Sequence, residues 1–298
     1  MRIAYLIDRD SLGGGMEYIR RQIAAHLGDE SRVFFSDRGE CTAAKLNAWG
    51  AEKIVVNHLK ALVQLLGNPF RRPRGEVTFV VHGIHLRKYD WMIRDGGSFF
   101  GTLPLRMKRL LRRLLERRLY RRCDRIVALT PTDRDDILRL YGRGLKVEVE
   151  PNTLNGWKPQ LADGLPAGTE GPFEYLCIGR FDYQKGQDRW IGRIKHEELS
   201  MKNEGRRTLF IGDGPTLAEC RRLAKELGVE DLCAFAGAIP EADRYLKCAE
   251  TVVSPSRGEG MPYLMMKALT VGCRILATDC PGNRDVLAGY EKWEKLEL

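Results

Sequence analysis

The stretch Thr251–Val286, TVVSPSRGEGMPYLMMKALTVGCRILATDCPGNRDV, decides the architecture. Thr251 to Val253 is a short apolar run that reads as a buried parallel strand, and Ser254 to Gly260 is turn chemistry. Pro262, a residue tolerated in the first turn of a helix, opens an amphipathic run through Thr270, which Gly272 ends. Cys273 to Thr278 is the next strand and Asp279 to Gly282 the next turn. The unit is βαβ. It places Glu259 in the loop at the C-terminal end of a parallel strand, just before a helix N-terminus. Open α/β sheets bind ligands at that edge, and backbone N–H groups there favour a phosphate.

Upstream, the same alternation begins at Phe173: strand FEYLCIG, a helix from about Gln187, strand TLFIG, helix Thr216 to Leu227, strand CAFAG and helix Glu241 to Cys248. The first of these strands ends in Gly179-Arg180-Phe181-Asp182-Tyr183-Gln184-Lys185-Gly186. There, two cations can clamp a diphosphate, Arg180 through its planar fork and Lys185 as a point charge; the plainer alternative is a pair of solvated charges. Gly212-Asp213-Gly214-Pro215 ends the next strand on the same edge. With Glu259, three loops of one sheet are expected to converge on a cleft facing another domain.

That other domain is the N-terminal half. Residues 2 to 8 read as a strand, followed by a Gly13, Gly14, Gly15 turn and a helix from Met16 to Leu27. The glycines let a backbone approach a phosphate or sugar, or simply make a tight turn. A dinucleotide fingerprint needs a third glycine where Tyr18 stands, and Asp37 at the end of the second strand does not rescue the fit. Strands follow near 32 to 37, 53 to 58 and 77 to 82. The last ends at His82, with His85 just beyond, placed to exchange hydrogen bonds with a ligand hydroxyl or to serve as a cap. Strand Asp124 to Leu129, helix Thr132 to Tyr141 and strand Lys146 to Val149 complete a doubly wound domain. The expected domains are 1–152 and 173–298, joined by a Gly- and Pro-rich linker at 153–172.

The 298 residues suit two α/β domains of ordinary size, and 43% hydrophobic against 30% charged residues describes a globular protein. With no signal peptide and no apolar run of membrane-spanning length, a cytoplasmic location is expected. The eight scattered cysteines form no CxxC pair, so reduced core thiols are expected and not a disulfide framework or a metal site. The net charge of +9 is concentrated: Leu103 to Arg122 holds nine Lys or Arg and one Glu. Leu103, Met107, Leu110, Leu111, Leu114, Leu115 and Leu119 recur there at helical spacing. That stripe is expected to pack on the sheet as a crossover helix, leaving the arginines either solvated or in peripheral contact with an anionic membrane, on the inner face of the cell membrane. Nucleic acid is disfavoured, since no aromatics are interleaved for base stacking.

In order and spacing, GRFDYQKG, FIGDGP, the AFAG strand, SPSRGEGMPYLMMKAL and ATDCPGNRDVL resemble the C-terminal domain of the family 4 retaining glycosyltransferases, of GT-B fold. GGGMEYIRRQIAAHL, the histidine after a strand, CDRIVALTPTDRDDI and VEPN agree with the first domain, so the resemblance covers nearly the whole chain. It implies α/β architecture with two Rossmann-like doubly wound parallel-sheet domains. It further implies transfer of a sugar from a nucleotide diphosphate sugar, as co-substrate, to a hydroxyl on a glycan or lipid-linked acceptor. Configuration is retained and no metal or other cofactor is essential. By this resemblance Arg180 and Lys185 neutralise the leaving diphosphate, Glu259 holds donor hydroxyls and His82 contacts the donor sugar. Gly14 and Gly15 close on the diphosphate, and Gly212, Gly214, Gly260, Met261 and position 267 line the donor. Two departures stand out. Lys267 occupies the place of the family's second glutamate, where an ammonium can only donate. The family's elements beyond a GNRDVL-like segment, including a last helix crossing back to the first domain, have no counterpart, so a shortened C-terminus is expected. These departures motivate an alternative: an impaired homologue that binds a nucleotide sugar or a partner transferase without turnover.

Overall fold

A computed structural model of the chain describes residues 1–10, 14–26, 28–96, 99–200 and 206–298, and only the backbone of 14, 99, 100 and 197–200. Ser11, Leu12, Gly13 and Leu27, read above as parts of a turn and a helix end, lie outside the described residues. The chain divides into two compact units, Met1–Thr153 and Leu154–Leu298.

In chain order the first unit runs β1 (Arg2–Ile7), α1 (Gly14–Ala25), β2 (Glu30–Phe35), α2 (Ala43–Trp49), β3 (Lys53–Val56), α3 (Leu59–Leu66), β4 (Glu76–Val81), α4 (Leu86–Asp95), α5 (Phe99–Tyr120), β5 (Arg125–Ala128), α6 (Pro131–Tyr141) and β6 (Val147–Val149). All six strands are parallel, in the order β2-β1-β3-β4-β5-β6. Strands such as β4, with Val77 to Val81 buried, are covered on both faces, which is why they read as continuous apolar runs instead of alternating ones. α6 shows how local chemistry sets an element: Thr130 accepts from the Asp133 N–H as N-cap, Pro131 opens the first turn, and Asp133 stabilises the positive helix end.

The second unit runs β7 (Tyr175–Ile178), α7 (Gln187–Ser200), β8 (Thr208–Ile211), α8 (Leu217–Glu226), β9 (Cys233–Phe235), β10 (Thr251–Ser254), α9 (Tyr263–Thr270), β11 (Arg274–Thr278), α10 (Pro281–Leu287) and β12 (Trp293–Leu296). Its parallel sheet has the order β12-β11-β10-β7-β8-β9. The strand order reverses beside the first strand in both sheets, between β1 and β3 and between β7 and β10. Ligand sites of such sheets form at that reversal, on the carboxyl side.

Three expectations need correction. The helix expected over Glu241–Cys248 is only a 3-10 turn, Ala242–Tyr245: Glu241 precedes it at a left-handed φ of 53°, and Arg244, Leu246 and Cys248 donate to carbonyls three residues back instead of four. β12 was not anticipated; its Trp293, Glu294 and Lys295 alternate poorly, and only pairing with β11 identifies it. The stripe of α5 does not pack on the sheet: Leu103, Met107, Leu110, Leu111, Leu114 and Leu115 are exposed and only Leu119 is buried. The helix turns its other face inward, where hydrogen bonds and an ion pair join it to α4 and α6, as described below.

The stretch 154–172 is irregular but tied to the second unit. Ala162 N–H donates to the Arg244 carbonyl, Trp157 Nε1 to Asp243, and Leu165 packs against the core. All eight cysteines are free thiols and six are buried, with burial pushing Cys41 and Cys177 up to about 12 and leaving them inert.

Candidate donor site and its relatives

The loops that follow β7 and β10 meet at the reversal point of the second sheet. Gly186 makes the approach possible: at φ 70° it needs no side chain, and a Cβ there would lie 2.3 Å from the Pro255 carbonyl oxygen. The Arg257 N–H donates to the Gln184 carbonyl, and Gln184 Nε2 returns a bond to the Gly258 carbonyl at 2.9 Å. Arg257 locks the two loops further. Its guanidinium grips Asp188 through two bonds of 2.9 and 2.7 Å, donates to the Tyr183 carbonyl and lies 4.0 Å from the centre of the Tyr183 ring.

Within this frame Lys185 Nζ donates to Glu259 Oε1 at 2.7 Å, and Ser256 Oγ donates to the same oxygen at 2.6 Å. Burial works against the Lys185 ammonium, but the adjoining Glu259 carboxylate outweighs it and holds the lysine above its usual range, so it is charged at neutral pH. Ser256 is set by its own carbonyl accepting from Thr278 Oγ1 at 2.6 Å. Asn283 of α10 in turn donates to the Thr278 carbonyl at 3.1 Å. A cavity of about 20 Å³, room for roughly one water, is lined by Lys185, Gln187, Ser254, Ser256, Glu259 and Pro262. Gln187 Oε1 is buried there without a protein partner. α9 begins beside it with Pro262 as N-cap and no side-chain cap, so its N-terminal amides meet the edge where Glu259 sits.

The remaining expected donor residues divide. Gly212 and Gly214 abut the same edge: a Cβ on Gly212, at φ 149°, would lie 2.0 Å from the Gly179 oxygen, and the Phe181 N–H donates to the Asp213 carbonyl. Gly260 and Met261 adjoin Glu259, with Gly282 of α10 packed so close that a Cβ would sit 2.1 Å from the Gly260 oxygen. Arg180 is not drawn into the Lys185–Glu259 group. Its side chain is 68% exposed and bound to Asp182 at 2.7 Å, while the other Asp182 oxygen accepts from the Lys185 backbone. Lys267 is buried but forms a separate cluster, 3.4 Å from Asp243 Oδ2 and over the Trp157 ring, whose Nε1 donates to the same oxygen at 3.1 Å.

In the first unit, the C-terminal edge of β1, β3 and β4 gathers Gly15, Asn57, Tyr18 and His82. His82 Nε2 lies 3.0 Å from Asn57 Oδ1 and its ring meets Tyr18 edge-on at 5.2 Å. The would-be Cβ of Gly15 is 3.2 Å from Ile7 and 4.0 Å from the His82 ring; Gly14 is the first residue of α1. Burial, with a smaller push from His58, lowers His82 to about 4, and burial lowers His85 to about 3, so both rings are neutral at pH 7. Ser256, Arg257, Gln187, Asn283, Asn57 and His58 were not singled out from sequence. Polar residues flanking the glycine turns were the only available signal, and which of them face inward is set by the chain folding back, not by spacing.

This pair of doubly wound parallel sheets is the GT-B fold. Sucrose-phosphate synthase from Thermosynechococcus elongatus aligns over 99% of this chain and 85% of its own, with a TM-score of 0.75 at 18% identity. HepE from Anabaena, solved in complex with UDP and glucose, aligns over 95% and 82% with a TM-score of 0.66 at 16% identity. Residues 167–293 match the family model of the glycosyl transferases group 1. An uncharacterized glycosyltransferase of Methanocaldococcus jannaschii is 24% identical over 177 residues, covering 56% of this chain and 43% of that protein. The chain spans half or less of the length of the first curated relatives it matches.

Proposed function

We propose that the protein is a retaining, metal-independent glycosyltransferase that moves a sugar from a nucleotide diphosphate sugar to a hydroxyl of a glycan or lipid-linked acceptor in cell-surface polysaccharide, lipopolysaccharide or glycolipid synthesis. The observation that carries this reading is the charged Lys185 held against Glu259 at the strand-order reversal, beside the N-terminus of α9, where Pro262 provides no side-chain cap. Lys185 and the α9 amides face the negative charge that develops as the diphosphate leaves, and preorganised cations stabilise such charge most where water is scarce. Glu259 accepts from donor-sugar hydroxyls. His82, neutral, offers one ring nitrogen to a sugar hydroxyl, and Gly14 and Gly15 allow close backbone approach to the diphosphate. The bond from the sugar anomeric carbon to the diphosphate oxygen breaks, the bond to the acceptor oxygen forms on the same face, and the acceptor proton passes to the leaving phosphate.

Calorimetry of the full chain against UDP, GDP, ADP, CMP and dTDP tests the donor site. One nucleoside diphosphate is expected to bind, with Lys185→Ala weakening it and Glu259→Ala mattering only for the intact nucleotide sugar. No binding of any nucleotide by a folded, monodisperse sample overturns the reading. A second reading, binding without turnover, draws on Lys267, which stands in the place of a carboxylate and is committed to Asp243. Donor binding without consumption of any nucleotide sugar, with EDTA and added magnesium giving the same result, favours it.

A further inference from the structure

The helix that holds most of the chain's excess positive charge turns its apolar side away from the protein. Along α5, Leu103, Met107, Leu110, Leu111, Leu114 and Leu115 are 38% to 64% exposed and fall on one face. The opposite face is fixed inward by polar contacts. Arg109 forks onto Asp90 at 2.6 and 3.2 Å, and Arg113 Nε donates to the Leu140 carbonyl at 2.7 Å. Arg112 donates to the fully buried Glu116 at 2.7 Å, and the Tyr141 hydroxyl donates to the second Glu116 oxygen. Tyr120 packs beneath, its ring 4.6 Å from that of Tyr141. These contacts consume the inward cations and leave Arg106, Lys108, Arg117 and Arg118 exposed around the ridge.

A second feature adjoins it. Phe70, 94% exposed, sits in a loop with Arg71, Arg72 and Arg74. Arg122, just past the end of α5, clamps that loop by donating to the carbonyls of Leu66, Asn68 and Arg71. The exposed phenyl ring and the apolar ridge are therefore parts of one structural piece, each set among arginines.

We infer that this piece, the α5 ridge with the Phe70 loop, docks into the surface of a bilayer containing anionic lipids. A ridge from Leu103 to Leu115 is about 18 Å long, suited to lying in the head-group plane, and no helix among the described residues is long and apolar enough to cross a membrane. An apolar strip and a basic rim are the two signals that together give stable surface binding, since either alone is weak. A second copy of this chain is a poorer occupant, because a two-fold contact brings the same set of cations against itself. A nucleic acid would meet the cations but leave six apolar side chains in water. The inference stands whether or not the transferase reading does.

The test is co-sedimentation of the full chain with vesicles of phosphatidylcholine alone and of phosphatidylcholine mixed with phosphatidylglycerol. Wild type is expected to bind the anionic vesicles only, with a residue of binding that survives high salt. Because the ridge is exposed, the triple variant Met107→Gln/Leu111→Gln/Leu114→Gln should keep its thermal unfolding profile. It should bind anionic vesicles about tenfold more weakly or worse and lose the salt-resistant part. Lys108→Gln/Arg117→Gln/Arg118→Gln should lose the preference for anionic lipid. The inference is overturned by a wild type that binds no vesicles, or by a ridge variant that binds as wild type does. It is equally overturned by a wild-type dimer that ignores lipid and that the ridge variant dissolves into monomers.

Discussion

The two sheets reverse strand order beside their first strand, yet the two edges are built from opposite chemistry. In the first unit the edge centres on neutral rings: His82 and His85 are held uncharged by burial and His82 pairs with an amide oxygen of Asn57, while Asp8, just past β1, is paired with Lys60. In the second it is ionic, with Lys185 kept charged against Glu259 and Arg257 forked onto Asp188. A neutral ring can donate and accept, which suits hydroxyls, whereas a fixed ammonium suits a phosphate. The shared topology supplies a place for a ligand, and the side chains decide what it is.

The largest expected effect separates the edges directly. Lys185→Ala should weaken binding of the preferred nucleoside diphosphate about 100-fold, the scale of a lost charge-assisted contact, while His82→Ala should change it less than about twofold. Both should slow transfer. Equal losses in calorimetry would break the contrast. Next in size, Lys267→Glu would bury a carboxylate against Asp243 in place of an ammonium. It should lower the unfolding free energy in urea by about 2 kcal/mol, and adding Asp243→Asn should restore more than half of that. Failure of the second change to rescue would mean that Lys267 acts on something other than Asp243.

Much of this was legible in the residues and some was not, for physical reasons. The alternation of strands and helices, the glycine turns and the position of Glu259 follow from hydrophobic period and turn chemistry, which are local. The pairing of Lys185 with Glu259, 74 positions apart, depends on β7 and β10 being neighbours, and so on a strand order that no local pattern encodes. The α5 ridge failed for a related reason. Helical spacing correctly marked one apolar face, but the inward direction was decided by Asp90, Glu116 and Tyr141, two of them on other elements, which hold the arginine face. β12 was missed because pairing with β11, not propensity, sets it, and the 3-10 turn at Ala242–Tyr245 because its i→i−3 bonding leaves no mark in the hydrophobic spacing.

A smaller effect sharpens the neutral edge. An unfolded histidine takes up a proton below about pH 6.5, while His82 resists protonation until about 4. Its contribution to stability is therefore complete above pH 6.5 and is lost as the pH falls toward 4. Between pH 7 and 5 the unfolding free energy should drop by about 1–2 kcal/mol more in wild type than in His82→Gln. Parallel pH curves for the two proteins would mean that His82 is not held neutral.

The smallest effect concerns the cation that the ionic edge does not hold. Arg180 is 68% exposed and engaged with Asp182, so a bound diphosphate gains its charge only after the side chain leaves that partner and gives up its freedom. Arg180→Ala should accordingly weaken nucleotide binding no more than about fivefold, and the difference should shrink as salt is raised, because an exposed charge is screened. Lys185, partly buried and fixed by Glu259, should lose affinity on substitution at low and high salt alike. A salt-insensitive loss at Arg180 equal to that at Lys185 would show that the guanidinium moves into the site when the nucleotide arrives. The ionic edge would then be completed by its ligand.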